Sequence, residues 1–415
     1  MAMKFLREKD LVERLIQRFG LDVDGYDDPN ASGSGTGADV TKGEMTMAKP
    51  TDDETRIQEN PAPSREQWER RARPATLRAE IEQICLAKGR YPSDWTTHTS
   101  CPCCAFKSTL FPSFVKYGMR HDQCGNCRFV CLNPYPSDEI LRELYSGSYY
   151  TLTRELYELP RLLKDGAHTA LSAPILTLEK IIEIVAPRSS AGSWLDVGGG
   201  LGAFGSLVRE KLFAWNVSLN EYNPRSEEIA RNIFGLIIAP SNAREIKASG
   251  IRYDVISAIA VLEHIADPFQ FICDYSGLLR PGGRFVILVP HFTAMCASTA
   301  RASSPIAAPP FHLSLFNRAN LSHLLDRTGL FSGVDVVEDG PAAFSLMQVI
   351  DWGNYWDITM PSPDEPAKSI QICEYPPDMG RMIGVLANAN EAAGDYFANH
   401  DGRVFLTVCA TLKEE

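Results

Sequence analysis

An α/β fold, with a seven-stranded, mostly parallel sheet and an antiparallel edge strand, follows from three observations. Five short apolar runs alternate with helical stretches after residue 190. The first of these runs ends in a cluster of glycines that opens a helix. Two more strand-like runs close the chain.

The five runs are SWLDVGG (193–199), WNVSLNE (215–221), GLIIAP (235–240), DVISAIA (254–260) and RFVILVP (284–290). Strands separated by helices lie parallel, with the helices covering both faces of the sheet. GVDVVED (333–339) and RVFLTVCATL (403–412) add at the sheet edge as a hairpin-like pair; the segment between them shows no strand pattern, and MGRMIGVLANANEAAGDYFANH (379–400) reads as its helix. No internal repeat is evident.

The chain has 415 residues, enough for two or three domains of about 100–200 residues each. Residues 1–23 read as an N-terminal helix, with Phe5, Leu11, Leu15 and Ile16 on one face. Residues 24–62 are rich in Gly, Ser, Asp, Asn and Pro and read as a flexible linker. Residues 63–98 are a helical segment, 99–135 a small cysteine module, and 136–190 a helical connector that includes APILTLEKIIEIVAP (173–187). The main domain spans 191–340, a helical insertion or cap 341–402, and the last strand and tail 403–415.

Hydrophobic residues make up 44% and charged residues 22% of the chain, so a large core can be buried. The net charge of -11 repels nucleic acid and anionic membranes, so neither is the expected partner. The first 20 residues carry scattered charges and no secretory pattern. The longest apolar run, VISAIAVL, falls far short of the roughly 20 residues of a membrane helix. A cytoplasmic location is expected.

Six of the 11 cysteines, Cys101, Cys103, Cys104, Cys124, Cys127 and Cys131, fall in one short segment. In a reducing compartment this reads as metal binding before disulfides. Cys101-Pro-Cys-Cys104 and Cys124-Gly-Asn-Cys127 are two C-x2-C knuckles with 19 residues between them. Two such knuckles converge on one tetrahedral zinc ion with no open position, which makes the site structural. Cys103 competes with Cys104 for the first knuckle. Cys131 reads as a small buried residue, and His98 and His121 as surface residues rather than ligands.

Leu195-Asp-Val-Gly-Gly-Gly-Leu-Gly-Ala-Phe-Gly205 joins the first strand to a helix. Glycines let backbone approach a ligand closely. Glu221 ends the next strand, placed to accept hydrogen bonds from ribose hydroxyls. A nucleoside-containing cofactor is therefore expected. Gly200-Leu-Gly202-Ala-Phe-Gly205 fits the dinucleotide pattern, whereas Gly198-Gly-Gly200-Leu-Gly202 fits that of methyltransferases.

LDVGGGLGAFG (195–205), NEYNP (220–224), YDVISAIAVLEHIADP (253–268) and LLRPGGRFVILVP (278–290) occur in an order and spacing that resemble class I S-adenosylmethionine-dependent methyltransferases. CPCC, QCGNC and NPYPSDEILRELYSGSYY resemble a branch of that family with an N-terminal zinc ribbon, and FHLSLFNRANLSHLLDRTGLF (311–331) resembles its segment after the fifth strand. The resemblance covers about residues 99–340. It implies a Rossmann-like sheet, S-adenosylmethionine as cofactor, and structural zinc on Cys101, Cys104, Cys124 and Cys127. It further implies that Asp196, Gly198, Gly200 and Gly202 line the methionine and ribose part of the cofactor. Glu221 takes the ribose hydroxyls, and Ala260, Val261 and Glu263 sit beside the cofactor. The third strand lacks a clear acidic residue for the adenine amino group, which leaves Ser241, Asn242 or backbone to serve.

Methyl transfer needs a nucleophile aligned with the sulfonium methyl, and a hydroxyl acceptor benefits from a base near neutrality. Histidine suits that role. The candidates are His291, best placed by topology, then His264 and His312. Tyr149 and Tyr150 are candidates to close over the cofactor, and Trp352, Tyr355 and Trp356 to shape an acceptor pocket. The expected function is methylation of a small-molecule acceptor, a sugar or other glycan precursor. An NAD-dependent oxidoreductase and a non-catalytic zinc-ribbon scaffold are the alternatives. Oligomeric state is not legible.

Overall fold

The computed structural model describes residues 95–107, 110–116, 119–147, 150, 154, 158, 159, 162, 175–186, 191–292, 304, 306–342 and 403–414. The chain divides into Met1–Ala62 and Pro63–Glu415, and every described residue belongs to the second unit. The expected N-terminal helix, the linker, the helical segment up to 94, and the insertion beyond 342 with Trp352, Tyr355 and Trp356 lie outside the described residues.

The cysteine module contributes strands β1 (Leu110–Lys116), β2 (Met119–Cys124) and β3 (Val130–Leu132). Helices α1 (Asp138–Ser146) and α2 (Ile175–Val185) follow. The main domain then runs β4 (Ser193–Val197), α3 (Ala203–Lys211), β5 (Asn216–Asn220), α4 (Pro224–Phe234), β6 (Ile237–Ile238), α5 (Ala243–Ala248), β7 (Tyr253–Ile259), α6 (Pro268–Ser276) and β8 (Leu279–Pro290). It ends with β9 (Ser314–Leu315), α7 (Arg318–Thr328), β10 (Phe331–Ala342) and β11 (Arg403–Leu412).

The large sheet has seven strands in the order β10-β11-β8-β7-β4-β5-β6. Strands β4 to β8 are mutually parallel, while β11 runs antiparallel between β8 and β10. This is the expected Rossmann-like architecture. The helix boundaries have local causes. The Asn223 side chain caps α4 by accepting from Arg225 and Ser226 N–H at 2.9 and 3.0 Å, Pro224 opens the helix, and Gly235 (φ 60°) closes it. Asn317 and Asn320 form a reciprocal cap on α7.

Period-2 alternation along β8 divides its side chains between two cores. Val286 and Leu288 pack with Trp194, Leu178 and Phe204 on the α2–α3 face. Phe285, Ile287 and Val289 pack on the opposite face with Leu321, Leu324 and Leu325 of α7. Cys101, Cys103, Cys124, Phe129 and Cys131 belong to that second core, so the cysteine module is continuous with the sheet's hydrophobic layer. A second sheet, β1-β2-β3-β9, carries the junction, because β9 comes from the main domain. Phe129 and Phe316 seal it with rings 5.2 Å apart, an aromatic pair worth about 0.5–1.5 kcal/mol beyond area burial.

Candidate functional site

The two cysteine knuckles fold alike. Ala105 N–H donates to Cys101 O at 2.8 Å and Arg128 N–H to Cys124 O at 3.0 Å. The residue after each knuckle, Ala105 (φ 58°) and Arg128 (φ 61°), adopts the left-handed conformation despite having a Cβ. Two such residues in matching places are a cost accepted for a site. The four sulfurs lie within 4.8 Å of one another. Cys101 Sγ is 3.6 Å from Cys127 Sγ, and Cys104 Sγ is 3.7 Å from Cys124 Sγ. A tetrahedral zinc with bonds of about 2.3 Å requires sulfur separations of about 3.8 Å. The residues therefore fit a structural zinc ion.

The Cys103 thiol donates to Asn320 O at 3.2 Å, and Cys103 is not among the four converging thiols. The ambiguity in the first knuckle thus resolves towards Cys104. Cys131 is buried as expected. His121, expected on the surface, is fully buried instead, its ring stacked 4.4 Å from Phe114. It lies on β2 with its side chain turned into the junction, which strand periodicity alone does not reveal. His98 stacks on Tyr135 at 4.2 Å. Neither histidine joins the thiol cluster.

The glycine loop leaves β4 with Gly198, Gly200 and Gly202 at φ of 63°, 56° and 88°. These left-handed positions favour glycine. A methyl group at Gly198 would lie 2.7 Å from Val261 Cγ2, so the end of β7 presses directly on the loop. Ala260, at that strand end, is itself left-handed (φ 55°). Glu221 anchors the loop from the other side. Its Oε2 accepts from Gly200 N–H at 2.6 Å, and its Oε1 from Tyr222 and Asn223 N–H at 2.8 and 2.9 Å. A carboxylate has about four lone-pair sites, so the three donors leave capacity for a ligand hydroxyl.

Asp196 sits beneath the loop. Its Oδ1 accepts from the Ser257 hydroxyl at 2.7 Å, which in turn accepts from Trp194 Nε1 at 2.9 Å. Its Oδ2 is buried and unpartnered, and burial pushes its pKa up to about 7. Asn242, a candidate for the adenine end, instead caps α5 by accepting from Glu245 N–H at 3.0 Å.

Arg154 escaped the sequence reading. It is half-buried, hydrogen-bonded to the Tyr150 hydroxyl and paired with Glu158. A methyl group at Gly200 would lie 2.7 Å from its Nη1, so the guanidinium stands over the glycine loop. The signal available was the four-residue spacing of Tyr150, Arg154 and Glu158, which places them on one helical face. Tyr150 stands beside Arg154 and edge-on to Tyr145; Tyr149 lies outside the described residues.

A second polar cluster occupies the end of β7, where open α/β sheets bind ligands. Glu263, His264 and His312 offer ligand atoms within 4.8 Å of one another. Glu263 is 2% exposed, with Oε2 unpartnered, and burial pushes its pKa up to about 8. His264 Nδ1 lies 3.0 Å from Phe311 O, and His312 Nδ1 lies 2.6 Å from Ile306 O. A carbonyl only accepts, so both Nδ1 atoms carry the hydrogen and both Nε2 atoms keep a lone pair. Burial lowers the pKa of His264 to about 3 and of His312 to about 4, which leaves both rings neutral. The rings meet edge to face at 4.8 Å, and Tyr145 of α1 stands edge-on to His264 at 5.9 Å. His291 is also buried, at the end of β8, with its backbone bridged to Phe316. It is not part of the cluster formed by the other two histidines.

The strand order defines a Rossmann-like domain, with the glycine loop and the caged Glu221 at one edge of its sheet. Residues 167–331 match the family model described as a methyltransferase domain. The ubiquinone biosynthesis O-methyltransferase of Parvibaculum lavamentivorans is 31% identical over 101 residues, 23% of this chain and 38% of that protein. A probable S-adenosylmethionine-dependent methyltransferase of Mycolicibacterium smegmatis is 31% identical over 109 residues, 24% of this chain and 40% of that protein. The matched segments thus span about two fifths of these relatives. Phosphoethanolamine N-methyltransferase 2 of Haemonchus contortus, solved with S-adenosyl-L-methionine, superposes with a TM-score of 0.41 at 14% identity, over 69% of this chain and 63% of that one. Among the described residues no helix is long and apolar enough to cross a membrane.

Proposed function

We propose that the protein is an S-adenosylmethionine-dependent methyltransferase acting on a small-molecule acceptor of the sugar or glycan-precursor class. One observation carries the reading: Glu221 and the left-handed glycines form a single hydrogen-bonded unit, with two neutral histidines at the neighbouring strand end. The bound cofactor supplies a sulfonium, an already activated methyl donor. Glu221 would hold the ribose hydroxyls, and Gly198, Gly200 and Gly202 would let the backbone approach. Arg154 would meet the cofactor's carboxylate. Ala260, Val261 and Glu263 border the same edge.

His264 and His312 each keep an Nε2 lone pair beside Glu263, His264 Nε2 lying 3.9 Å from its Oε1. With pKa values lowered to about 3 and 4, they would accept a hydrogen bond from an acceptor hydroxyl and orient it rather than take its proton. Their neutrality is what makes this possible, since a histidinium has no lone pair to offer. Glu263, protonated near neutrality, serves as a donor rather than a base. His291 stands behind this pair as a third candidate. Cys101, Cys104, Cys124 and Cys127 would hold zinc as a structural element, and a thiolate site suits a reducing compartment. The net charge supports a small acceptor over nucleic acid.

Calorimetric titration with S-adenosylhomocysteine, and with NAD in parallel, tests the reading. Micromolar binding of S-adenosylhomocysteine alone supports it. Binding of NAD alone favours an oxidoreductase, and binding of neither favours a scaffold.

A further inference from the structure

The cysteine module reaches further into the acceptor side than a separate structural appendage would. Lys116, the last residue of β1, is buried. Its Nζ donates to Ser304 O at 2.9 Å, a bond between residues 188 positions apart. Ala307 N–H donates to the same carbonyl at 3.0 Å, and Ile306 N–H to Ser304 Oγ at 3.2 Å. These bonds fix the orientation of the 304–307 turn. The carbonyl of Ile306 in that turn accepts the Nδ1 hydrogen of His312. On the other side of His312, β3 holds the chain again: Leu132 N–H donates to Leu313 O at 2.9 Å, and Val130 and Cys131 pair with Leu315 and Ser314.

We infer that Lys116 is a positioning residue for His312: by holding the Ser304 carbonyl it fixes the turn whose Ile306 carbonyl sets the His312 tautomer, and so aims Nε2 at Glu263 and His264. Packing alone does not require an amine here. Val130, Ile306, Ala307 and Leu315 form an apolar cluster at this junction, and a methionine at 116 would supply similar volume. Burying an amine costs free energy unless it is hydrogen-bonded. Burial accordingly pushes the pKa of Lys116 down to about 7. His121, buried on β2, is kept neutral in part by the nearby Lys116. The module thereby contributes a wall of the acceptor side, not only a metal-bound fold.

The inference rests on His312 belonging to the acceptor side, as proposed above. Its test is independent of any acceptor. Full-length protein with 15N-labelled histidine, saturated with S-adenosylhomocysteine, is examined by long-range 1H–15N correlation, with His312→Gln assigning the signal. The wild type should show His312 as a single Nδ1–H tautomer. Lys116→Met should lose that single tautomer while S-adenosylhomocysteine affinity and metal content stay unchanged. Lys116→Arg, which keeps a donor, should retain it. An unaltered His312 signal in Lys116→Met would overturn the inference. Should that variant not fold, Lys116→Gln, whose shorter amide does not reach the Ser304 carbonyl, takes its place; loss of the single tautomer then supports the inference, and an unchanged signal overturns it. Failure of S-adenosylhomocysteine to bind the wild type would sink the functional proposal instead, which the titration reads separately.

Discussion

The backbone N–H of Gly200 donates to Oε2 of Glu221 across 2.6 Å, joining the loop after β4 to the end of β5. Two motifs 21 residues apart thus behave as one structural unit. Replacing Glu221 by Gln would present an amide NH2 to a ring of backbone donors. Because Gln offers only one acceptor oxygen, at least one buried N–H would lose its partner, at a cost of about 1–3 kcal/mol. Glu221→Gln should therefore weaken S-adenosylhomocysteine binding by about tenfold or more, measured by calorimetry. Undiminished affinity would show that Glu221 only braces the loop.

Gly198 tests the loop's backbone. Its φ of 63° and its contact with Val261 leave no room for a side chain. Gly198→Ala should lower stability by about 1–3 kcal/mol from strain at this position, read by denaturant unfolding. An unaltered midpoint would mean the loop relaxes freely.

The cysteine site makes a discriminating prediction. Cys104→Ala should lose bound zinc and unfold at lower temperature, since structural zinc contributes folding free energy. Cys103→Ala should keep its zinc, because Cys103 donates to Asn320 O instead. Metal analysis of both purified variants checks this, and zinc retained by Cys104→Ala would place the fourth ligand elsewhere.

Glu263 predicts a pH dependence. Its pKa is raised on folding from 4.5 to about 8. Such a group contributes stability in full below 4.5 and loses it as pH rises through 8. Glu263→Gln cannot ionise. Its melting temperature relative to wild type should rise between about pH 5 and pH 9, by about 2–4 °C per kcal/mol relieved. A constant difference across that range would show that Glu263 is already ionised in the folded protein.

Arg154 stands over the glycine loop between Tyr150 and Glu158. If it receives the cofactor's carboxylate, Arg154→Met should cost about 1.5–3 kcal/mol of binding, the range for charge-assisted hydrogen bonds. Calorimetry against adenosine provides the control. A loss of equal size for adenosine, which lacks the carboxylate, would mean that Arg154 acts only on loop shape.

The sequence determined the parts whose causes are local. Apolar alternation marked every strand of the large sheet, from Ser193–Val197 to Arg403–Leu412. The glycines at 198, 200 and 202 marked the turn, because few other residues adopt positive φ. Cysteine spacing marked the cluster of four thiols. Contacts between distant segments were decided by the tertiary structure. Spacing could not choose between Cys103 and Cys104; Asn320, 217 residues away, does so by accepting the Cys103 thiol. His121 read as a surface residue, and only the pairing of β2 with its neighbours turns it inwards. His264 and His312 lie 48 positions apart in sequence, yet their rings meet because the Leu313 N–H donates to Glu263 O at 2.7 Å, beside both. Arg154 and Lys116 are long side chains whose destinations no local pattern encodes. Local propensity fixes which elements form, whereas long-range hydrogen bonds and burial fix which side chains meet.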